Sequence, residues 1–189
     1  TEEQKNTYLP KLCDGTYLAG SFCLTEAGAG SDPAGMRAQA RADGDDWIID
    51  GVKQWITSAE FAGVFVVWAV TDKAAPKGKG ITCFLVEADN PGVQVNKAEK
   101  KMGQHGSATN EVVFSECRVP ASAILGELNQ GFKLAVTELA GGRIGIGSLA
   151  LGVGLAAIDY ARDYTVERQQ FGQRIADFQG IQWMLADTY

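Results

Sequence analysis

Short stretches of the chain carry side chains whose types and spacing could do chemistry. "TEAGAGSD", residues 25–32, is a glycine-rich turn closed by the Ser31 hydroxyl and the Asp32 carboxylate, directly after the apolar run "YLAGSFCL". Backbone N–H groups around Gly28 to Ser31 can form an anion-binding nest without a following helix. The dinucleotide fingerprint G-x-G-x-x-G is not met. Gly28 and Gly30 supply the first two glycines, but the third position is Pro33, and "MRAQARA" after it alternates like a strand. There is no Walker lysine and no G-x-S-x-G elbow, and Ser31 has no base partner. "KQWITS" places an aromatic and two hydroxyls at the end of a strand-like run, where Trp55 taken alone reads as core packing. His105, in "GQHGSATN", has no partner at ligand spacing and reads as an exposed loop histidine; no metal site is expected. "ERQQFG" closes a helical pattern with Arg168 favourably placed at the negative end of the helix dipole.

The elements that must position these residues fall into three regions. Residues 1–15 look like the tail of a helix stopped at Gly15. From about 17 to 119, runs such as "WIID", "QWIT", "VFVVWAV", "ITCFLVE" and "EVVFSE" are rich in β-branched and aromatic residues, and "DGDD", "APKGKG" and "DNPG" separate them as turns. No helical pattern intervenes, which predicts an antiparallel sandwich or barrel and argues against βαβ units. From about 129 the period becomes helical, breaks at Gly172 and resumes near Ala176, as in half of an antiparallel bundle. Gly141, Gly145, Gly152 and Gly154 each cost a helix ~1 kcal/mol relative to Ala. Close approach of another helix or a ligand is the expected compensation. The fold class expected is α+β.

With 189 residues, 46% of them hydrophobic, the chain can bury the core of one large domain or two small ones. Its net charge of −6 argues against nucleic-acid binding, which calls for a basic face. Lys73, Lys77 and Lys79 sit in a Pro/Gly loop and read as a solvated tip. Cys13, Cys23, Cys83 and Cys117 are scattered in apolar surroundings with no C-x-x-C pair, as reduced thiols of a cytosol-like compartment are. The uncharged run 144–158 falls short of the ~20 residues that span a bilayer. No signal peptide pattern is seen, so the chain is expected to be soluble, with no membrane insertion. It starts without Met and stops at Tyr189 inside a helical pattern, and is expected to be part of a longer protein.

In order along the chain, "LTEAGAGSD", "DGVKQWITS", "KMGQHGSATNEVVF", "GGRIGIGSLALG" and "ERQQFGQRIADFQGIQWMLAD" resemble the acyl-CoA dehydrogenase family, and the resemblance covers essentially the whole chain. "GRIGIGSLALG" looks closest to short-chain or branched short-chain members. The resemblance implies the end of an N-terminal helical domain (1–16), a middle β-domain (17–126) and part of a C-terminal four-helix bundle (127–189). It implies FAD, with Phe22, Leu24 and Thr25 at the isoalloxazine, Gly30 and Ser31 at the pyrophosphate, and Trp55, Ile56 and Thr57 lining the ring on the side away from substrate. Ser31 and Arg143 would contact the acyl-CoA. Arg168, Phe171 and Gln179 would reach the FAD of a neighbouring subunit, which implies a homo-oligomer, dimer or tetramer. The implied reaction is α,β-dehydrogenation of acyl-CoA thioesters to trans-2-enoyl-CoA, with electrons passed to an electron-transfer flavoprotein, in the cytoplasm or, in a eukaryote, the mitochondrial matrix. A flavin oxidase or monooxygenase of the same fold is the alternative reading, and a non-catalytic relative is another.

The chain departs from the family's pattern in places. Ala27 replaces a common proline, and Ala140 stands where an aspartate often precedes the CoA arginine. Gly142 stands where some members carry the catalytic glutamate. No catalytic base is therefore identified within the chain. Glu138 is a poor candidate, and the base is expected beyond Tyr189.

Overall fold

A computed structural model describes residues 1–189. They form two compact units, Thr1–Val136 and Thr137–Tyr189.

The first unit opens with helix α1 (Glu2–Cys13), started by a capping box in which Thr1 accepts from the Gln4 main chain. The Gln4 side chain then donates to the carbonyls of Ser122 and Ile124 at 2.9 and 2.8 Å, fastening the helix beside the sheet. The helix gives way at Asp14 and Gly15, the latter at φ +82°, as the sequence predicts. Strands β1 (Ala19–Cys23), β2 (Gln39–Asp43), β3 (Asp46–Thr57), β4 (Ala62–Val70), β5 (Ile81–Glu87), β6 (Val93–Val95), β7 (Thr109–Pro120) and β8 (Ile124–Leu125) make one eight-stranded sheet. "WIID" and "QWIT" are two ends of the single strand β3, and "EVVFSE" lies within the longer β7.

The sheet order is β6-β7-β3-β2-β4-β5-β8, with β1 added beside β4. The expectation of a wholly antiparallel sandwich or barrel needs correction. No closed barrel forms, and β4 pairs in parallel with β1 throughout and with β2 at Gln39–Val70. Parallel pairing needs a long connection and usually uses a helix. Here the β2–β3 hairpin lies between β1 and β4 in the chain, so no helical pattern announces the crossover.

Period-2 alternation divides the core. Phe65, Val67, Ala69, Phe84 and Val86 pack with Ile49, Ile56, Val112 and Phe114 in one cluster. On the alternate positions, Val66, Trp68, Val70, Ile81 and Cys83 pack with Leu24, Met36, Phe132, Leu134 and Ala135 in the other. The last three belong to the start of helix α2 (Gly131–Glu167). Trp68 Nε1 donates to the Gly131 carbonyl at 2.7 Å, and a Cβ at Gly131 would lie 2.6 Å from the backbone nitrogen of Cys83. Only glycine permits that approach. Cys23, Cys83 and Cys117 are buried, but Cys13 is exposed at the end of α1, contrary to the sequence expectation. Burial pushes the Cys117 thiol up to about 11.

In the second unit α2 runs on to Glu167 and ends before the predicted break at Gly172. Strands β9 (Gln169–Gln170) and β10 (Gln173–Arg174) form a hairpin whose central residues, Phe171 and Gly172, both have positive φ, +55° and +80°. That is the I′ geometry that matches strand twist. Helix α3 (Gln179–Thr188) follows, three residues later than predicted. Residues 137–167 of α2 are almost all exposed, including Ile144, Ile146, Leu151 and Val153. By length and composition the whole helix could cross a membrane, although the run 144–158 alone could not. Its glycines from Gly141 to Gly154 have open space around them, so the close approach expected to offset their cost is not made within the chain.

Candidate functional site

The stretch "TEAGAGSD" begins where β1 ends. Glu26 and Ala29 bond to each other through both main-chain pairs (3.3 and 3.0 Å), which closes residues 26–29 into a tight turn. Ala29 is buried, whereas Gly28, Gly30 and Ser31 face solvent. A Cβ at Gly28 would meet nothing within 4 Å, and one at Gly30 only Thr25 Cγ2 at 3.9 Å. The outer side of the turn is therefore open to close approach. Asp32 is tied across the surface to Lys77, and Pro33–Gly35 forms only a single 3₁₀ turn. Lys77 is thus held in an ion pair, which the reading of a solvated tip does not foresee. The absence of a helix after the turn agrees with rejection of the dinucleotide fingerprint.

The stretch "WIT" meets this segment edge to edge. The main-chain N–H of Gln54 donates to the Thr25 carbonyl at 2.8 Å, and Ser21 Oγ donates to the Thr57 carbonyl at 2.8 Å. As residue number rises along 21–25 it falls along 57–54, so the two segments run antiparallel. Trp55 sits at a β-bulge: the β3–β7 register breaks between Lys53 and Ile56, and Trp55 adopts φ +62°. The bulge turns its indole outward, 57% exposed, so the core-packing reading of Trp55 is incorrect. Phe22 is 39% exposed and leans on the buried Trp68, with ring centroids 4.3 Å apart. Thr57 is exposed. Leu24 and Ile56 point into the two cores, so their side chains do not reach this surface.

Beneath the wall lies a pair that reading the sequence did not single out. Lys53 is fully buried and its Nζ donates to Glu26 Oε1 at 2.9 Å and to the Leu24 carbonyl at 3.1 Å. Glu26 also accepts from the main-chain N–H groups of Arg37 and Ala38 at 2.6 and 2.9 Å. Burial pushes the Glu26 carboxyl up, but the Lys53 charge and these bonds outweigh it and hold it below its ordinary value. Burial lowers Lys53, with Glu26 opposing. Both residues stand inside quoted motifs; a charge next to an apolar run was the available signal.

The remaining predicted residues belong to the second unit. Arg143 is exposed on α2. The main-chain N–H of Arg168 bonds to the Tyr164 carbonyl, placing Arg168 just past the helix end. Phe171, 94% exposed at the hairpin tip, meets Phe178 edge-on at 6.2 Å. Gln179 is the first residue of α3 and is exposed. His105 is exposed, as expected, with Nε2 2.9 Å from the Lys101 carbonyl. No group of three or more His, Cys, Asp or Glu side chains could hold a metal ion.

A mixed sheet with an outward aromatic wall, followed by a long apolar helix, defines an α+β protein of sheet domain and helical domain. The acyl-CoA dehydrogenase middle-domain model matches residues 21–117 and the acyl-CoA dehydrogenase C-terminal-domain model matches residues 129–189. The chain belongs to the acyl-CoA dehydrogenase family. It is 50% identical over 186 residues to a mitochondrial short/branched chain specific acyl-CoA dehydrogenase of Bos taurus, covering 98% of this chain and 42% of that protein. Its structure superimposes on butyryl-CoA dehydrogenase from Megasphaera elsdenii with a TM-score of 0.93 and 42% identity, over 100% of this chain and 49% of the other. An acyl-CoA dehydrogenase from Bacillus anthracis, solved in complex with FAD, matches at a TM-score of 0.91 and 39% identity, over 99% of this chain and 31% of that one. The chain thus spans about half the length, or less, of these relatives.

Proposed function

We propose that the chain supplies the flavin wall and part of the acyl-CoA site of an FAD-dependent acyl-CoA dehydrogenase that converts acyl-CoA thioesters to trans-2-enoyl-CoA. The observation that carries this reading is the edge-to-edge meeting of Phe22–Thr25 with Trp55–Thr57. It joins two motifs some thirty residues apart into one surface with two outward aromatics. That surface fits FAD. Phe22 and Trp55 present flat apolar area for a fused ring, and the turn at 26–31 leaves its backbone open on the outer side, where a diphosphate can approach.

When bound, FAD would accept the hydride equivalent, two electrons and one proton, released from Cβ–H as the Cα proton is lost and the Cα–Cβ double bond forms. The protein's own groups bind and orient. Phe22, Leu24 and Thr25 hold the ring's position, Leu24 and Ile56 through their main chain because their side chains are in the core. Trp55 covers the ring on the side away from substrate and keeps water from it. The exposed Thr57 hydroxyl would offer the ring a hydrogen-bonding group able to donate or accept. Gly30 and Ser31 bind the diphosphate, and Ser31 with Arg143 binds the acyl-CoA. No residue of this chain is assigned as the base that removes the α-proton.

The same reading divides the chain into the end of an N-terminal helical domain (1–16), a middle β-domain (17–126) and part of a C-terminal helical bundle (127–189). Other helices of that bundle would cover the apolar face of α2 and accept its glycines. Arg168, Phe171 and Gln179 reach the FAD of a neighbouring subunit in a dimer or tetramer; the nearly bare ring of Phe171 supports this assignment. The electron acceptor is an electron-transfer flavoprotein, and the site of action is the bacterial cytoplasm or the mitochondrial matrix, where the relatives' sources divide.

Anaerobic addition of butyryl-CoA to the whole protein tests the reading. Loss of the yellow flavin absorbance, with slow recovery in air and fast recovery with an electron-transfer flavoprotein, is expected. Rapid peroxide formation in air would instead identify an oxidase. A colourless protein that takes up no FAD would end the flavoenzyme reading.

A further inference from the structure

No ligand contact is assigned above to the side chain of Glu26 or Lys53, and theirs is the one ion pair in the chain with both side chains buried. Every other pair is at least partly exposed. Taking two charges out of water is costly, and apolar residues of similar volume often serve stability as well or better. What the ion pair supplies beyond packing is direction.

Its bonds go to three segments at once. Lys53 Nζ holds the Leu24 carbonyl at 3.1 Å on one side of Thr25, and Glu26 follows Thr25 on the other. Glu26 accepts from Arg37 and Ala38, fixing the return of the turn. The Met36 sulfur lies 3.9 Å from Nζ and closes the pocket. Lys53 is also the last β3 residue in register with β7 before the bulge. Gln54 and Trp55 have no partner on β7, and the main chain there is held instead by the Thr25 carbonyl. The strained Trp55 therefore takes its support from the segment that Lys53 and Glu26 hold.

We propose that Glu26 and Lys53 are positioning residues that set the spacing between Phe22–Thr25 and the Trp55 bulge, and through it the fit of the flavin ring. This rests on the FAD reading above. The charge pair acts through the Leu24 and Thr25 carbonyls and does not touch the ring.

The test uses the whole protein and the double variant Lys53→Met/Glu26→Gln, which removes both charges and the link to Leu24. Lys53→Met alone leaves a buried carboxylate unpaired and lowers Tm. The double variant recovers much of that Tm while its FAD dissociation constant, measured by flavin fluorescence after deflavination, is raised about tenfold or more. The visible spectrum of its bound flavin shifts as well. Val119→Ala serves as the stability control, since Val119 is buried opposite Trp47 at the far end of β3. Should the double variant stay destabilised, loss of FAD affinity beyond that of a control of equal Tm supports the proposal. An FAD affinity and spectrum equal to the parent's, or a loss no greater than the matched control's, overturns it. A parent that takes up no FAD ends the flavoenzyme reading itself, and this proposal with it.

Discussion

The ring of Phe22 lies 4.3 Å from that of Trp68, tilted by 48°, so that a half-exposed aromatic rests on a fully buried one. Trp68 is itself locked by its bond to Gly131 at the start of α2. An outward aromatic is held in place by a chain of contacts that ends in the helix. Replacing Phe22 with Ala is expected to lower stability by about 0.5–1.5 kcal/mol beyond the lost burial. FAD content should fall with it; denaturant titration and flavin-to-protein absorbance ratios measure the two effects.

Trp55 gives the opposite combination. It holds φ +62°, a conformation that costs a non-glycine residue on the order of 1 kcal/mol, while most of its indole is exposed. Trp55→Gly is expected to raise or preserve thermal stability and yet weaken FAD retention. Lower Tm with unchanged FAD content would contradict the role given to the indole.

Gly131 tests the junction between sheet and helix. A methyl group there would meet the Cys83 backbone at 2.6 Å, and backbone cannot move aside as a side-chain tip can. Gly131→Ala is expected to cost about 1–3 kcal/mol by overpacking, read as a lower denaturation midpoint with an unchanged m-value.

The pH dependence follows from Glu26. Its carboxyl is held below the ordinary value of 4.5 in the folded protein. The stability it contributes is therefore fully present above that value and is lost as pH falls through the depressed one. Acid titration should show the parent losing stability more steeply below pH ~4.5 than Glu26→Gln, which starts less stable and lacks this component.

Under the proposed function, Arg143 binds the acyl-CoA. With its side chain exposed on α2, Arg143→Ala is expected to leave folding and FAD content unchanged. It should weaken acyl-CoA binding by about 1.5–3 kcal/mol, the worth of a hydrogen bond to a charged group. Calorimetry with an unreactive acyl-CoA analogue measures it, and an unchanged affinity removes Arg143 from the site.

Much of the architecture is legible in the residues. The β4 and β5 runs are almost continuously apolar because both faces of that part of the sheet are buried, alternate residues entering one cluster or the other. The Gly15 stop and the absence of a helix after "TEAGAGSD" are local backbone chemistry, and local chemistry is written in order along the chain. The helix end was harder to read. "ERQQFG" has polar residues compatible with a helix terminus, and only the left-handed conformations of Phe171 and Gly172 make it a hairpin.

What the sequence by itself determined is the family, through five motifs in order, together with the strand-rich and helical halves, whose hydrophobic periods differ. Three features were decided only in three dimensions: the parallel seating of β1 on β4, the outward turn of Trp55, and the meeting of Glu26 with Lys53. Each depends on contact between segments far apart in the chain. A bulge reverses which face a side chain takes without changing its identity, and two charges neutralise each other's burial only when the fold has brought them within 2.9 Å. Spacing along a chain carries neither kind of information.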